Sequence, residues 1–137
     1  MQSCVFCRII RGEAPAHRVY EDTDVIVFLH IFPVSEGHTL VVTKRHYPDL
    51  FAAEAASLEA VARVAKRVAH ALQAVVRPAG LMVFQLNGAA AGQTVFHYHM
   101  HLMPRSAGEP LRLHARRPGD PHALAQLRRS TGRFWQI

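Results

Sequence analysis

The sequence predicts an α+β domain built on an antiparallel sheet with one long helix. Short apolar and β-branched runs lie between turn-forming residues, a single long segment has helical periodicity, and a further segment alternates histidine with apolar residues. The chain has 137 residues, 50% of them hydrophobic and 19% charged, which is sufficient for one domain with a buried core.

Five segments are predicted strands. His17–Glu21 and Val25–Leu29 flank an acidic turn and read as a β-hairpin. Thr39–Thr43 is β-branched and apolar, which indicates a buried strand. Leu81–Leu86 and Phe96–Pro104 complete the set.

The long predicted helix covers Glu54–Arg77, followed by the helix-ending residues Pro78 and Gly80. Its apolar residues recur at spacings of three and four, on one face: Leu58, Val61, Ala65, Val68, Leu72 and Val75. That stripe is suited to pack on the sheet or on a second subunit. Ser3–Ile10 is expected to be a short helix or turn, and Pro121–Arg129 a short helix.

The net charge of +6 is concentrated near the C-terminus, where residues 105–137 contain seven arginines and two acidic residues. Such a segment either attracts anionic ligands or is simply solvated. We expect residues 1–105 to form the domain and residues 106–137 a basic extension packed on it. With no leader pattern and no apolar run near ~20 residues, the expected location is cytoplasmic, away from membranes. Nucleic acid is not an expected partner, because no aromatic residues interleave with the arginines as a stacking platform.

Three histidines at alternate positions are the main functional signal. Side chains on a strand alternate between faces, so His97, His99 and His101 are expected on one face and the intervening apolar residues in the core. Such a row is typical of a metal site, since imidazole is a common ligand for zinc, copper or iron. It is equally typical of nucleophilic catalysis, because a neutral imidazole has a nitrogen that can form a covalent intermediate. Structural hydrogen bonding is the third interpretation.

A loop of small residues, Asn87–Thr94, precedes the histidine strand. Glycine and alanine let backbone N–H groups approach an anion closely, and Asn87, Gln93 and Thr94 add polar side chains. An ordinary Asn-Gly turn would have a similar composition. The position directly before the histidines favours a phosphate-binding loop that faces a nucleophile.

The segment Gly92–Arg105 resembles the signature of the histidine triad (HIT) family, His-φ-His-φ-His-φ-φ with φ apolar. Cys4–Ile10 and Pro33–Val42 resemble the bacterial nucleoside phosphoramidase-like branch of that family, so the resemblance covers residues 3–105. It implies a five-stranded antiparallel sheet with one long helix and short terminal helices. It also implies a homodimer in which two such sheets join as one.

The resemblance further implies a reaction on nucleoside-phosphate-X, usually a purine nucleotide or nucleoside phosphoramidate, in which X is an amine, an amino-acyl group or another phosphate. By position His99 attacks the α-phosphorus, and water then hydrolyses the nucleotidyl-histidine; no metal is required. The second ring nitrogen of His99 needs a partner to fix its tautomer, and a backbone carbonyl is expected. His101 would hydrogen-bond phosphate oxygens, and Thr94 would contact the leaving-group side.

The remaining substrate contacts implied by the resemblance come from two places in the chain. Asn87, Gly92 and Gln93 would hold phosphate and ribose, and His30 and Ile31 would contact the nucleoside.

His30 is a departure from the family, which has an aspartate there that accepts hydrogen bonds from both ribose hydroxyls. A neutral imidazole has only one acceptor nitrogen. Ribose binding is therefore expected to be weaker, pH-dependent or redirected to another group, unless the substitution has no functional effect.

Cys4 and Cys7 form a C-x-x-C pair, which is typical of a shared metal or a redox pair. They supply half of a tetrahedral zinc site, and the resemblance implies that His46 and His97 complete it. A closed four-ligand site is structural, because no coordination position remains open. A pair of free thiols is the alternative.

Two other functions stay open at this point. One is a nucleotide-binding regulatory protein with little turnover, which His30 and the basic extension would suit. The other is a metalloenzyme in which the three alternating histidines bind the metal.

Overall fold

The computed structural model describes residues 3–113 and 118–135, and within them the predicted five-stranded antiparallel sheet is confirmed. The strands are β1 (Arg18–Glu21), β2 (Val25–Leu29), β3 (Thr39–Thr43), β4 (Gly80–Phe84) and β5 (His99–Arg105). The helices are α1 (Val5–Ile10), α2 (Ala55–Val75) and α3 (Pro121–Trp135). The strand order is β1-β2-β3-β5-β4, with every neighbouring pair antiparallel.

The two faces of the sheet have different roles. On one face, Ile26 of β2 pairs with Val42 of β3, which pairs with His99 of β5, and His101 follows two residues later. Because alternate residues share a face, the catalytic candidates lie on the same side as the apolar cluster beneath α1. The opposite face is covered by α2.

The larger core cluster joins α2 to this opposite face. Its buried members are Val25, Val27, Val41, Tyr47, Ala60, Val61, Val64, Ala65, Val68, Leu72, Tyr98 and Leu102. The predicted apolar stripe of the helix thus packs on the sheet, and it is wider than the sequence spacing indicated because Ala60, Val64 and Ala71 are buried as well. Full burial of one such side chain as large as Leu72 contributes about 1.5–3 kcal/mol. The helix ends where Arg77 adopts a left-handed conformation with φ of 53°, just before Pro78.

The histidine strand begins later than predicted. Its pairing with β3 stops at the Val42–His99 pair, and the Tyr98 N–H instead donates to the Tyr47 carbonyl at 2.7 Å. His97 therefore lies just before β5. Before the loop, β4 ends at Phe84 rather than at residue 86, because Phe84 is the last residue of β4 that pairs with β5, opposite His101.

The end of the chain contributes α3, which lies against β1 and α2. Its start is capped by Asp120, whose carboxylate accepts from the Ala123 N–H at 3.3 Å, and Pro121 occupies the first helical position. Just before the cap, the Gly119 N–H donates to the Ile31 carbonyl at 2.6 Å. Residues 114–117 and 136–137 of the predicted extension, Arg116 and Arg117 among them, lie outside the described residues.

None of the helices in the described part of the chain combines the length and apolar character that a membrane span requires.

Candidate nucleotide site

A cavity of about 430 Å³ lies on the α1 face of the sheet, within the range typical of small-molecule sites. Most of the side chains that line it are apolar: Val5, Phe6, Ile9, Ala14, Pro15, Ala16, Phe28, Leu29, Ile31, Phe32, Leu40 and Val95. The polar lining side chains are His30, Thr94, His99 and His101. Among the described residues, no lysine, arginine or carboxylate lines this cavity.

His99 is buried at the cavity wall with 8% of its surface exposed. Its Nδ1 lies 2.6 Å from the His97 carbonyl oxygen, which is the expected backbone partner. A carbonyl oxygen only accepts, so Nδ1 carries the hydrogen and Nε2 holds the lone pair. Burial lowers the pKa of His99 below its usual value, which favours this neutral imidazole. The Phe6 ring packs edge-on against it with centroids 5.0 Å apart.

A buried chain of hydrogen bonds sets the tautomer of His101. The Val34 N–H donates to His38 Nδ1 at 3.2 Å, so Nε2 of His38 carries the hydrogen. That Nε2 lies 3.0 Å from His101 Nδ1, which must accept, and His101 therefore carries its hydrogen on Nε2. Phe84 stacks on the His101 ring at 4.3 Å and 8°, which holds the ring plane. His101 is thus a hydrogen-bond donor through Nε2.

His30 is held in the same way at the cavity lining. The Phe32 N–H donates to its Nδ1 at 3.0 Å, so Nε2 carries the hydrogen. Its ring lies 4.6 Å from that of His38 and 6.1 Å from that of His101. These three histidines bring ring nitrogens within 4.8 Å of one another. A metal bound at Nε2 of His38 would require that Nε2 lose its hydrogen and its hydrogen bond to His101. The hydrogen bonds of these rings therefore favour a hydrogen-bonded His38–His101 pair beside His30 over a three-histidine metal site.

The glycine loop uses much of its hydrogen-bonding capacity internally. The N–H groups of Ala91 and Gln93 donate to the Gly88 carbonyl, and that of Gly92 to the Ala89 carbonyl. The buried Gln93 side chain accepts from the Gly88 N–H at 2.7 Å and donates to loop carbonyls.

Asn87 is similarly committed outside the cavity. Its Oδ1 accepts from the Leu50 N–H at 2.8 Å and from the Gln85 side chain. The residue of the predicted phosphate loop that does line the cavity is Thr94. The roles predicted for Asn87, Gly92 and Gln93 remain predictions.

A second cluster joins the N-terminus to the sheet. Cys4, Cys7, His46 and His97 bring one potential ligand atom each to within 4.8 Å of the others. Cys4 Sγ lies 3.4 Å and Cys7 Sγ 3.6 Å from His97 Nδ1, while His46 Nδ1 is 3.3 Å from Cys7 Sγ. His97 Nε2 lies 2.6 Å from the Thr43 carbonyl, so it donates there and Nδ1 presents its lone pair to the sulfurs. Burial lowers the pKa of His97 to about 4, which keeps the ring neutral.

Two residues to which the sequence alone assigns no role contact the candidate site. His38, in the segment Pro33–Val42, is hydrogen-bonded to His101. Phe6, between the two cysteines, contacts both His97 and His99. No local pattern predicts either contact.

Alternating histidines that lead into a sheet strand beside an apolar cavity are typical of the histidine triad proteins. The HIT domain family model matches residues 11–108. The chain belongs to the HIT family.

Three similar proteins are informative. The crystal structure of a HIT-like protein from Bartonella henselae, described as involved in cell-cycle regulation and holding an unknown ligand, is 34% identical with a TM-score of 0.91, covering 98% of this chain and 97% of that one. A Zn-bound histidine triad family protein from Mycobacterium smegmatis is 37% identical with a TM-score of 0.84 and the same coverage. The adenylylsulfatase HINT3 of Arabidopsis thaliana is 42% identical over an alignment of 121 positions that covers 82% of this chain and 60% of the plant protein.

Proposed function

We propose that this HIT protein is a nucleotide hydrolase or transferase that cleaves nucleoside-phosphate-X through a nucleotidyl intermediate on His99. The observation that carries the proposal is the arrangement of tautomers at the polar end of the cavity. His99 Nε2 presents a lone pair, whereas His101 Nε2 presents a hydrogen. A lone pair beside a donor suits a phosphorus atom whose oxygens carry negative charge.

The reaction proceeds in two steps. The Nε2 lone pair of His99 forms a bond to the α-phosphorus, and the P–X bond breaks with its electron pair on X, which takes up a proton. Water then adds to the phosphorus, the P–N bond returns its electrons to His99, and the water proton is released. The sum is nucleoside-phosphate-X plus water giving nucleoside monophosphate and HX. Donors aimed at the developing charge typically contribute a few kcal/mol each to the rate.

The other residues that line the cavity bind different parts of the substrate in this proposal. His101 Nε2–H binds a phosphoryl oxygen, and the Thr94 hydroxyl contacts the leaving-group side. The apolar walls of the cavity accommodate the base, which supports a purine because a large flat ring buries the most area there. The name of the plant relative indicates sulfate as one further candidate for X.

The test is a turnover screen with adenosine phosphoramidate, an amino-acyl adenylate, a dinucleoside polyphosphate and adenylyl sulfate. We expect turnover of at least one, loss of it in His99→Ala with an unchanged fold, and a nucleotidyl adduct on His99 in acid-free quenched samples by mass spectrometry. Full activity of His99→Ala would refute the mechanism. Tight binding of a nucleoside monophosphate with negligible turnover of all four would support the regulatory alternative instead.

We further propose that Cys4, Cys7, His46 and His97 bind a structural zinc ion. Tetrahedral zinc with Zn–S of ~2.3 Å and Zn–N of ~2.05 Å places nitrogen and sulfur ligands roughly 3.3–3.8 Å apart. The observed separations of 3.2–3.6 Å fit that geometry. The donation from His97 to Thr43 is the outer hydrogen bond that zinc-binding histidines usually make. All four coordination positions are filled by protein, so the ion would orient His97 and α1 and would not contact the substrate.

The homodimer implied by the family resemblance is also a proposal. Within the described residues β4 is an edge strand that pairs with β5 alone, and Val83 on it is 50% exposed. An apolar edge strand is a template for pairing with another chain, and a second copy would extend the sheet through it.

A further inference from the structure

His30 is the polar lining residue that remains for the sugar of a bound nucleotide. With the phosphorus at His99 Nε2, the two other polar groups of the lining, Thr94 and His101, are engaged with the phosphate and the leaving group. The rest of the described lining is apolar and suits the base. A sugar between phosphate and base therefore meets one polar side chain, that of His30.

The hydrogen bond from the Phe32 N–H limits what His30 can offer. Because Nδ1 accepts that bond at 3.0 Å, the neutral ring turns an N–H toward other partners and no acceptor. The lone pair of His30 is thus already used by the backbone, so His30 cannot accept hydrogen bonds from two adjacent sugar hydroxyls.

We propose that this site does not recognise the pair of ribose hydroxyls, and that it uses 2′-deoxyribonucleotide substrates as efficiently as ribonucleotides. The inference depends on the proposed function, since it concerns the sugar of the same substrate. A site that hydrogen-bonds a hydroxyl discriminates strongly against the analogue lacking it, whereas a site without an acceptor gains little from that hydroxyl. His30 therefore determines sugar specificity.

The experiment compares kcat/KM for adenosine 5′-phosphoramidate and for 2′-deoxyadenosine 5′-phosphoramidate. For the wild-type protein we expect the two values within about threefold. In His30→Asp, a carboxylate that accepts from both hydroxyls should raise the preference for the ribose substrate at least tenfold. His30→Asn, of the same shape but uncharged, is the matched control and should give a smaller preference. The ratio of the two substrates cancels any general effect of the new charge on phosphate binding.

A wild-type preference above threefold for either sugar overturns the inference while leaving the proposed hydrolase intact. An equal ratio in wild type and in His30→Asp also overturns it. If neither phosphoramidate is turned over, the proposed function is decided by the other three substrates of its screen, and the sugar question by calorimetric binding of the 5′-monophosphates of adenosine and deoxyadenosine. Affinities within threefold then support the inference; a larger difference, or no binding of either, overturns it.

Discussion

The buried His38 offers the sharpest test of the hydrogen-bonded His38–His101 pair at the site. It is 1% exposed and joins the Val34 N–H, at 3.2 Å, to His101 Nδ1, at 3.0 Å. His38→Leu keeps a side chain of similar size and removes both bonds. Two buried polar groups then lose their partner.

The expected cost follows from those two groups. An unsatisfied buried donor or acceptor costs about 1–3 kcal/mol, so the variant should lose roughly 2–6 kcal/mol of unfolding free energy. That is a large part of the 5–15 kcal/mol typical of a domain, and a shift of the melting temperature of roughly 4 °C per kcal/mol makes it easy to measure. In urea unfolding, an unchanged dependence of the unfolding free energy on urea concentration between wild type and variant shows that the loss arises in the folded state and not from a change of the unfolded state.

His38→Gln is the matched variant. Its amide nitrogen can take the place of Nε2 and donate to His101, although the acceptor for Val34 is lost. We expect kcat to fall at least tenfold in His38→Leu, because His101 no longer keeps its hydrogen on Nε2, and to recover partly in His38→Gln. The reasoning is refuted if His38→Leu unfolds within 1 kcal/mol of wild type, or if the two variants have the same kcat.

Three further predictions concern the glycine at residue 37, the zinc ion and the dimer contact. Gly37→Ala should destabilise the protein by about 2–4 kcal/mol, since φ of Gly37 is +88° and the new Cβ would meet Val76, Pro104 and Leu72 at 3.0–3.2 Å. Gly12 has φ of +77° but lies in open space, so Gly12→Ala should show only the conformational part of the cost, about 1–2 kcal/mol. Thermal unfolding measures both losses of stability. Zinc measured by atomic absorption should be one equivalent in wild type and in His99→Ala and absent in Cys7→Ser, with a chelator lowering the melting temperature of the first two only; metal retained in Cys7→Ser would contradict the ligand set. Val83→Arg should shift the protein toward monomer in light scattering, and an unchanged mass would exclude β4 as the contact.

Most of the secondary structure could be predicted from local pattern because each element has its own signature in the sequence. The spacing of Val61, Val68 and Leu72 predicts a helix face, and the β-branched run Thr39–Thr43 predicts a buried strand. The boundaries were less predictable: β5 starts at His99 because its partner strand ends, and that depends on pairing across the sheet.

The site was predictable only in part, and the reason is the range of its contacts. His99 and His101 share a face through the strand period alone, whereas His97 lies before β5 and joins the cysteine cluster. His38 and His101 are 63 residues apart, and nothing in the sequence near either one shows that they meet. Gln93 and Asn87 were predicted as ligand contacts from their residue type, but whether such a side chain faces a ligand or ties its own loop depends on the loop conformation.

The zinc ion proposed at the cysteine-histidine cluster would not contact the substrate, but it would affect the proposed reaction through His97. Its ring presents Nδ1 to Cys4 and Cys7 and donates through Nε2 to the Thr43 carbonyl, so two contacts set its position. Its own carbonyl accepts the hydrogen of His99 Nδ1 at 2.6 Å. A displacement of His97 would therefore lengthen the bond that keeps the His99 lone pair on Nε2. The cysteine-histidine cluster and the proposed nucleophile are joined by His97, so the tautomer of His99 that the proposed mechanism requires depends on how firmly His97 is held.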